Sequence, residues 1–198
     1  MLRDKFLTIV TVVLLAAGLG CIGFVVLSVL NIEKHVKEVG HEECIDKSIN
    51  AVAFDAHMAG LIENGGSYTV LTGFYDCNEI KREDLVWFRF SRVIEPVPRK
   101  VYGLPGDTFD ANQDSADLSK WYIQINGERI KSLSGADYFI QSQSVPPLKT
   151  YALSLKGTIP EDKFIILSSE PPGLTDSSNL GLIRRDAIAG IVKLRESK

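Results

Sequence analysis

The side chains best suited to chemistry fall in three short stretches: Asp55-Ala-His57, Arg99-Lys100 and Asp176-Ser177. An imidazole can attack an acyl carbonyl, and a lysine whose pKa is lowered by burial can act as a general base. A guanidinium has a pKa above ~12 and cannot act as a base. Which of these side chains meet depends on the elements that carry them.

Metal ligands and basic patches are scarce. The chain has three cysteines and three histidines in 198 residues, with no C-x-x-C pair. Asp55 and His57 are two candidate metal ligands, but Arg99 is expected nearby and a cation beside them makes a poor metal site. We therefore expect no metal and no cofactor. The formal net charge of −3 argues against a nucleic-acid partner, which usually meets a basic patch.

An apolar run near the N-terminus predicts a membrane anchor. Residues 6–30 contain no charged side chain, and as a helix at ~1.5 Å per residue they would span roughly 37 Å, enough to cross a bilayer. A cleaved signal peptide is the alternative, but its apolar region would be shorter, ~7–15 residues, and no A-x-A site follows this run. We predict a cytoplasmic segment over 1–5, a single-pass anchor over 6–30 and a polar stalk over 31–47. Arg3 and Lys5 favour a cell-membrane protein with its C-terminal domain on the extracytoplasmic side.

An extracytoplasmic location affects the expected oxidation state of the cysteines. In an oxidising compartment Cys44 and Cys77 could form a disulfide, which would close a loop of about 34 residues and stabilise the fold by a few kcal/mol. Two free buried thiols are the alternative. Cys21 lies inside the predicted anchor.

Residues 48–198 read as a mainly β domain. Short runs rich in β-branched and aromatic residues occur at 67–72, 85–90, 121–125, 163–167 and 187–194. Asn126-Gly127 predicts a hairpin with a type I′ turn. We expect a β-barrel or sandwich. Residues 131–157, which include Gln-Ser-Gln-Ser-Val-Pro-Pro, are expected to be an irregular insertion or loop.

Four sequence boxes, in order, resemble those of the signal peptidase I family. Arg99-Lys-Val-Tyr-Gly-Leu-Pro-Gly-Asp107 is similar to the family's K-R-V-x-G-L-P-G-D box, whose Lys is the general base. His57-Met-Ala-Gly60 matches S-M-x-P, whose Ser is the nucleophile. Glu83-Asp-Leu-Val86 matches G-D-x-V, and residues 168–178 match G-D-N-x-x-x-S-x-D-S-R. The resemblance implies a membrane-anchored serine endopeptidase fold used in signal peptide processing and protein secretion.

The residues that would carry this chemistry are replaced. His57 stands at the nucleophile position and Arg99 at the base position, and Asp55 stands where a neighbour of the nucleophile helps to hold the oxyanion. Leu174 replaces a serine near the base, and Ser178 replaces the arginine that would pair with Asp176. Lys100 would face the other side of a strand unless a bulge re-aims it. The resemblance therefore implies a retained fold without the Ser/Lys dyad, and leaves enzymatic activity uncertain.

Three functions follow from these observations. The first is a catalytically degenerate protein that binds a secreted pre-protein or pilin-type peptide as an added strand, and assists secretion or pilus assembly. The second is an active signal endopeptidase with a displaced dyad, with Ser67 or Ser91 as nucleophile and Lys81 or Lys100 as base. The third is an unrelated structural β domain anchored in the membrane.

The predicted site residues follow from the matched boxes. We expect the degenerate centre at His57, Arg99 and Lys100, where Asp55, His57 and Arg99 could form a cluster joined by charge-assisted hydrogen bonds. The expected binding residues are Asp55, Met58, Asp107, Asp176 and Ser177. Met58 matches a family methionine that dips towards lipid, which predicts an exposed apolar patch with Leu61 and Ile62. Core packing of these residues is the alternative.

Overall fold

The described part of the chain consists of strands with a few short helices. The computed structural model describes residues 44–54, 56–90 and 96–194. The strands are β1 (Lys47–Val52), β2 (Ser67–Thr72), β3 (Leu85–Phe88), β4 (Val97–Gly103), β5 (Phe109–Gln113), β6 (Lys120–Ile125), β7 (Glu128–Arg129), β8 (Phe139–Gln141), β9 (Lys163–Leu167), β10 (Ile183–Arg184) and β11 (Ile188–Leu194). The α-helices are α1 (Pro147–Ser154) and α2 (Ser177–Leu180), and 3-10 helices cover Phe74–Asp76 and Arg185–Ala187. The mainly β prediction is confirmed.

The larger sheet has seven strands in the order β1-β2-β11-β3-β4-β9-β10. Every pair in it is antiparallel. Strands β2 and β9 begin and end at the residues predicted for them, because their runs of β-branched and aromatic side chains are bounded by turn residues. Strand β4, which carries Arg99 and Lys100, lies inside this sheet between β3 and β9.

The smaller sheet has the order β5-β6-β7, with β8 pairing β6 alongside β7. Asn126 and Gly127 join β6 to β7 with φ angles of 53° and 82°. Two consecutive positive φ angles are what a type I′ turn requires, so the Asn-Gly pair forms the predicted hairpin.

The segment 131–157, expected to be irregular, contains strand β8 and helix α1. Pro147 begins the helix, a position at which proline costs no hydrogen bond. Leu148 and Ala152 are four residues apart, lie on one helix face and are buried in the core. Tertiary packing of this face outweighs the proline-rich and serine-rich composition that indicated a loop.

Three hydrophobic clusters support the sheets. The first lies between the smaller sheet, α1 and β9, and includes Trp121, Tyr138 and Leu148. The second packs on the larger sheet around Val101 and Ile166. The third joins β2 to the turn after β1, and includes Met58, Ile62 and Val70.

The described residues belong to one unit that begins at Cys44, four residues before the predicted domain boundary. Cys44 and Cys77 form a disulfide with their Cα atoms 5.9 Å apart, which ties the chain just before β1 to the residue after the first 3-10 helix. The predicted cytoplasmic segment, anchor and most of the stalk lie outside the described residues. Among the helices that are described, none is long and apolar enough to span a membrane.

Candidate functional site

The residues matching the family's nucleophile and base positions both contact one loop, Ser168–Ser178, which follows β9. The main-chain carbonyl of His57 accepts a hydrogen bond from the Ser169 N–H at 2.8 Å. The Ser169 hydroxyl donates to the Ala59 carbonyl at 2.9 Å. The turn that carries His57 is therefore fixed on the first residues of this loop, and the His57 side chain is half-buried.

Arg99 contacts the same loop from strand β4. Its side chain is 1% exposed, although it carries a permanent charge. Nη1 donates to the Pro98 carbonyl and Nη2 to the Leu174 carbonyl, each at 2.6 Å. Arg99 is thus a buried donor that holds the loop at the position where the family has its general base.

Lys100 lies on the opposite face of β4, as strand alternation requires. Its ammonium pairs with the Glu83 carboxylate and lies 5.1 Å from the centre of the Tyr102 ring. The strand is regular at this point: Lys100 is in register with Leu85 on β3 and with Leu167 on β9. The register shift in the β4–β9 pair falls later, between Val101 and Gly103, so no bulge turns Lys100 towards Arg99.

Asp176 organises the loop from inside. It is fully buried and its carboxylate accepts hydrogen bonds from the N–H and hydroxyl groups of both Ser168 and Ser178, at 2.5 to 2.9 Å. It also caps the N-terminus of α2. Any side chain at position 173 would collide with this carboxylate, so the close approach requires Gly173. The structure shows the Asp176 carboxylate as an internal acceptor of this loop, and its predicted binding role stays a prediction.

Ser177 and Tyr138 complete this buried polar region. The Ser177 hydroxyl is fully buried and accepts a hydrogen bond from the Ile166 N–H on β9 at 3.0 Å, which ties α2 to β9; its predicted binding role stays a prediction. Tyr138 is also fully buried, and burial, followed by the negative charge of Asp176, raises the pKa of its phenol well above the ordinary value. The hydroxyl therefore stays protonated at any physiological pH.

Met58 packs in the core. It is 0% exposed and belongs to the third hydrophobic cluster with Ile62. The predicted lipid-facing patch of Met58, Leu61 and Ile62 is therefore wrong, and the core-packing alternative holds. The exposed apolar residues in this region are Val52 and Phe54, at 42% and 87% exposure.

Asp107 has a structural role at the corner between the two sheets. It accepts hydrogen bonds from the Leu104 N–H at 2.7 Å, from Asn126 at 2.8 Å and from the Arg82 guanidinium. Burial opposes its ionised form, but these hydrogen bonds outweigh burial and hold the pKa of Asp107 below its usual value. The retained Pro-Gly-Asp and Asn-Gly residues thus form one turn that is hydrogen-bonded to one hairpin, and the predicted binding role of Asp107 stays a prediction.

The remaining candidates are dispersed or lie outside the description. Asp55 and Ser91 are not among the described residues, so the proposed Asp55–His57–Arg99 cluster stays a prediction. Ser67 is exposed at the start of β2, opposite Val52 on β1, and Lys81 is exposed in the turn before β3. In the ranges described, no group of three or more His, Cys, Asp or Glu side chains could hold a metal ion.

Comparison with known proteins identifies the family. Residues 52–196 match the family described as signal peptidase, peptidase S26. The chain belongs to this family. The crystal structure of a signal peptidase I from Enterococcus faecalis V583 at 2.27 Å aligns at 21% identity and a TM-score of 0.36, covering 58% of this chain and 97% of that chain. No curated protein matches the sequence.

Sequence reasoning missed three residues of the loop framework. Tyr138, Ser168 and Gly173 lie around Asp176, yet none of them was singled out as a site residue. Tyr138 carries no local signal, because it enters the site through the pairing of the smaller sheet. For Ser168 and Ser178, the matched box gave a usable signal: two serines replace a glycine and an arginine next to an aspartate, which indicates a neutral hydrogen-bond network in place of an ion pair.

Proposed function

We propose that this protein is a catalytically degenerate member of the signal peptidase family that binds an extended signal or pilin-type peptide at the membrane surface without cleaving it, and so assists secretion or pilus assembly. One observation carries the proposal: the position of the general base holds Arg99, buried and committed to two main-chain carbonyls.

The lost chemistry follows from proton transfer. Peptide hydrolysis by this family requires a neutral base beside a nucleophile. A guanidinium stays protonated, so Arg99 cannot accept a proton. Lys100 faces away from Arg99 and is paired with Glu83. A carboxylate at position 55 would also repel the negative charge that develops on the carbonyl oxygen.

The geometry that supports peptide binding is an edge strand. β1 is the first strand of the larger sheet, where it pairs with β2, and it leads directly to the turn that carries His57. An extended peptide can add to such an edge through main-chain hydrogen bonds, with alternate side chains entering pockets. Phe54, two residues after the end of this strand, is exposed and offers an apolar contact for the peptide.

The test is a combined binding and recovery experiment. Full-length protein in detergent micelles would be mixed with a fluorescein-labelled signal peptide that ends in an Ala-x-Ala site, and binding followed by fluorescence anisotropy. Bound peptide would then be eluted and its mass measured by mass spectrometry. We expect binding with the peptide recovered intact.

Matched variants locate the binding surface. Phe54→Ser should weaken binding about tenfold, the effect of ~1.4 kcal/mol of lost apolar contact. Leu153→Ser, which changes another exposed apolar side chain (71% exposed, on α1), should leave binding unchanged. Recovery of a cut peptide, with cutting lost in Lys100→Ala or Ser67→Ala, would instead support an active peptidase with a displaced dyad.

A further inference from the structure

A polar pocket lies on the face of β4 opposite to Arg99. Its volume is 470 Å³, and its walls come from β4, from the turn before β3 and from the β6–β7 hairpin with the residues that follow it. We call it the Lys100 pocket; the side chains that matter are Arg82, Glu83, Lys100, Tyr102, Arg129 and Lys131. It is separate from the degenerate centre, because Lys100 and Arg99 point to opposite faces of one strand.

The cations of the pocket are paired with carboxylates for which an anionic ligand would exchange. Four basic side chains and the carboxylates of Glu83 and Glu128 line the pocket, and two further carboxylates, Asp107 and Asp137, pair with its cations. Arg129 and Lys131 share a single carboxylate, Asp137, and Arg82 is held by Asp107. Because a guanidinium has five N–H donors, Arg129 keeps donors for a further acceptor after it has bonded to Asp137.

The cations are held in place before any ligand arrives. Lys100 is only 15% exposed and lies over the Tyr102 ring, and the Arg129 guanidinium lies 4.1 Å from the centre of the Tyr122 ring. Cation–π contact and ion pairing restrict these long side chains. Less conformational freedom is then lost on binding, which is the main advantage of a preorganised site.

Glu83 is the unusual residue of the pocket. Its φ angle is 73°, in the left-handed region that a side chain of this type rarely adopts, and the family has glycine at this position of its G-D-x-V box. Strained residues of this kind persist where the surrounding structure fixes them, often at functional sites. The Glu83 carboxylate pairs with Lys100 although 62% of its side chain is exposed.

We infer that the Lys100 pocket binds the carboxylate group of a peptide, and that the Glu83 carboxylate occupies Lys100 until the ligand displaces it. The carboxylate could come from an acidic side chain or from a free C-terminus, since both present the same planar group to Lys100 and to the neighbouring Arg129 and Lys131. Glu83 is suited to exchange because its exposed carboxylate regains water when it leaves.

The experiment uses full-length protein in detergent micelles and three unlabelled, N-acetylated peptides, with binding measured by isothermal titration calorimetry. The first is a polyalanine tetrapeptide amide, the second is the same peptide with a free C-terminal carboxylate, and the third is the amide with one Ala replaced by Glu. We expect the second or the third peptide to bind and the first not to bind, with affinity falling as salt is added. The peptide that binds shows whether the carboxylate comes from a C-terminus or from an acidic side chain.

Two variants should change the affinity for the peptides in opposite directions. Arg129→Gln with Lys131→Gln should weaken binding about tenfold or more, as expected when charged partners are removed. Glu83→Gly removes the competing carboxylate and the backbone strain, so it should tighten binding about threefold, a gain that misfolding cannot produce. The control Arg184→Gln removes an arginine that is paired with Asp186 and lies outside the pocket lining, and should have no effect. Equal binding of all three peptides, binding of none, or weaker binding to Glu83→Gly would overturn the inference.

Discussion

The two faces of strand β4 carry adjacent cations in contrasting settings. On one face Arg99 is buried and donates to the carbonyls of Pro98 and Leu174. On the other face Lys100 lies in the wall of an open pocket and pairs with an exposed carboxylate. The Arg99 face is a closed structural framework, whereas the Lys100 face keeps charged groups that a ligand can reach.

The contrast shows what exchanging two neighbouring residues does in a strand. The family's Lys-Arg order is reversed here to Arg99-Lys100. Because successive side chains point to opposite faces, the reversal moves the lysine to the other face of the sheet. The fold tolerates the exchange because the arginine finds main-chain acceptors in the loop that follows β9.

The largest expected effect is the difference in stability lost when each of the two cations on β4 is removed. Arg99→Ala should lower the free energy of unfolding by about 4 kcal/mol, because it leaves a cavity and two carbonyls without their donor. Lys100→Ala should cost under about 1 kcal/mol, because its ion-pair partner is exposed. Urea unfolding monitored by the fluorescence of Trp87 and Trp121 would measure both. Similar losses in the free energy of unfolding for the two variants would contradict the difference between the two faces of β4.

A smaller effect is expected at the centre of the loop framework. Asp176→Ala should cost about 3 kcal/mol, since it removes a helix cap and leaves buried donors of Ser168 and Ser178 without an acceptor. Asp186→Ala, at an aspartate whose side chain is 68% exposed, should change stability by less than about 0.5 kcal/mol. Urea unfolding measures both variants. An unchanged free energy of unfolding in Asp176→Ala would show that the loop does not depend on this carboxylate.

The pH dependence of stability reports the burial of Tyr138. Its folded pKa is raised by burial, so its contribution is fully present below the unfolded pKa of about 10 and is lost as pH rises towards the folded pKa. At pH 11 the unfolded chain gains about 1.4 kcal/mol from ionising this one phenol. Tyr138→Phe should therefore make the alkaline loss of stability shallower by about that amount, while leaving the slope between pH 6 and 8 unchanged. An unchanged alkaline slope would contradict the burial.

The smallest effect concerns Glu83 on the Lys100 face. Glu83→Gly should raise the free energy of unfolding by about 1 kcal/mol, because glycine adopts a positive φ angle without strain and an exposed ion pair contributes little. Thermal unfolding of the full chain would measure it. A loss of stability would mean that the pair with Lys100 outweighs the strain.

The sequence predicts the regular parts of the fold well. Strands β2 and β9 and the Asn126-Gly127 hairpin follow from local residue types, which suffice where a run of strand-forming residues is bounded by turn residues. Helix α1 could not be predicted, because only the burial of Leu148 and Ala152 against other elements distinguishes it from a loop. The burial of Met58 is likewise a property of packing and leaves no local signal.

The candidate site is predictable in position and less so in role. The matched boxes single out His57 and Arg99, and both residues contact the loop that follows β9. For Asp107, Asp176 and Ser177 the matched boxes do not separate a structural role from a binding role, because a residue that shapes the backbone leaves the same sequence signature as one that binds a ligand. Hydrogen-bond partners and burial distinguish the two roles, and these follow only from three-dimensional structure.

The most direct test of the central claim is cleavage. Full-length protein, its Lys100→Ala variant and the double variant His57→Ser with Arg99→Lys would be incubated with a pre-protein carrying an Ala-x-Ala signal, and the products would be identified by mass spectrometry. We expect no cleavage by the natural protein, with the pre-protein retained on it intact. Cleavage at the signal site by the natural protein, and its loss in Lys100→Ala, would show that the protein is an active peptidase.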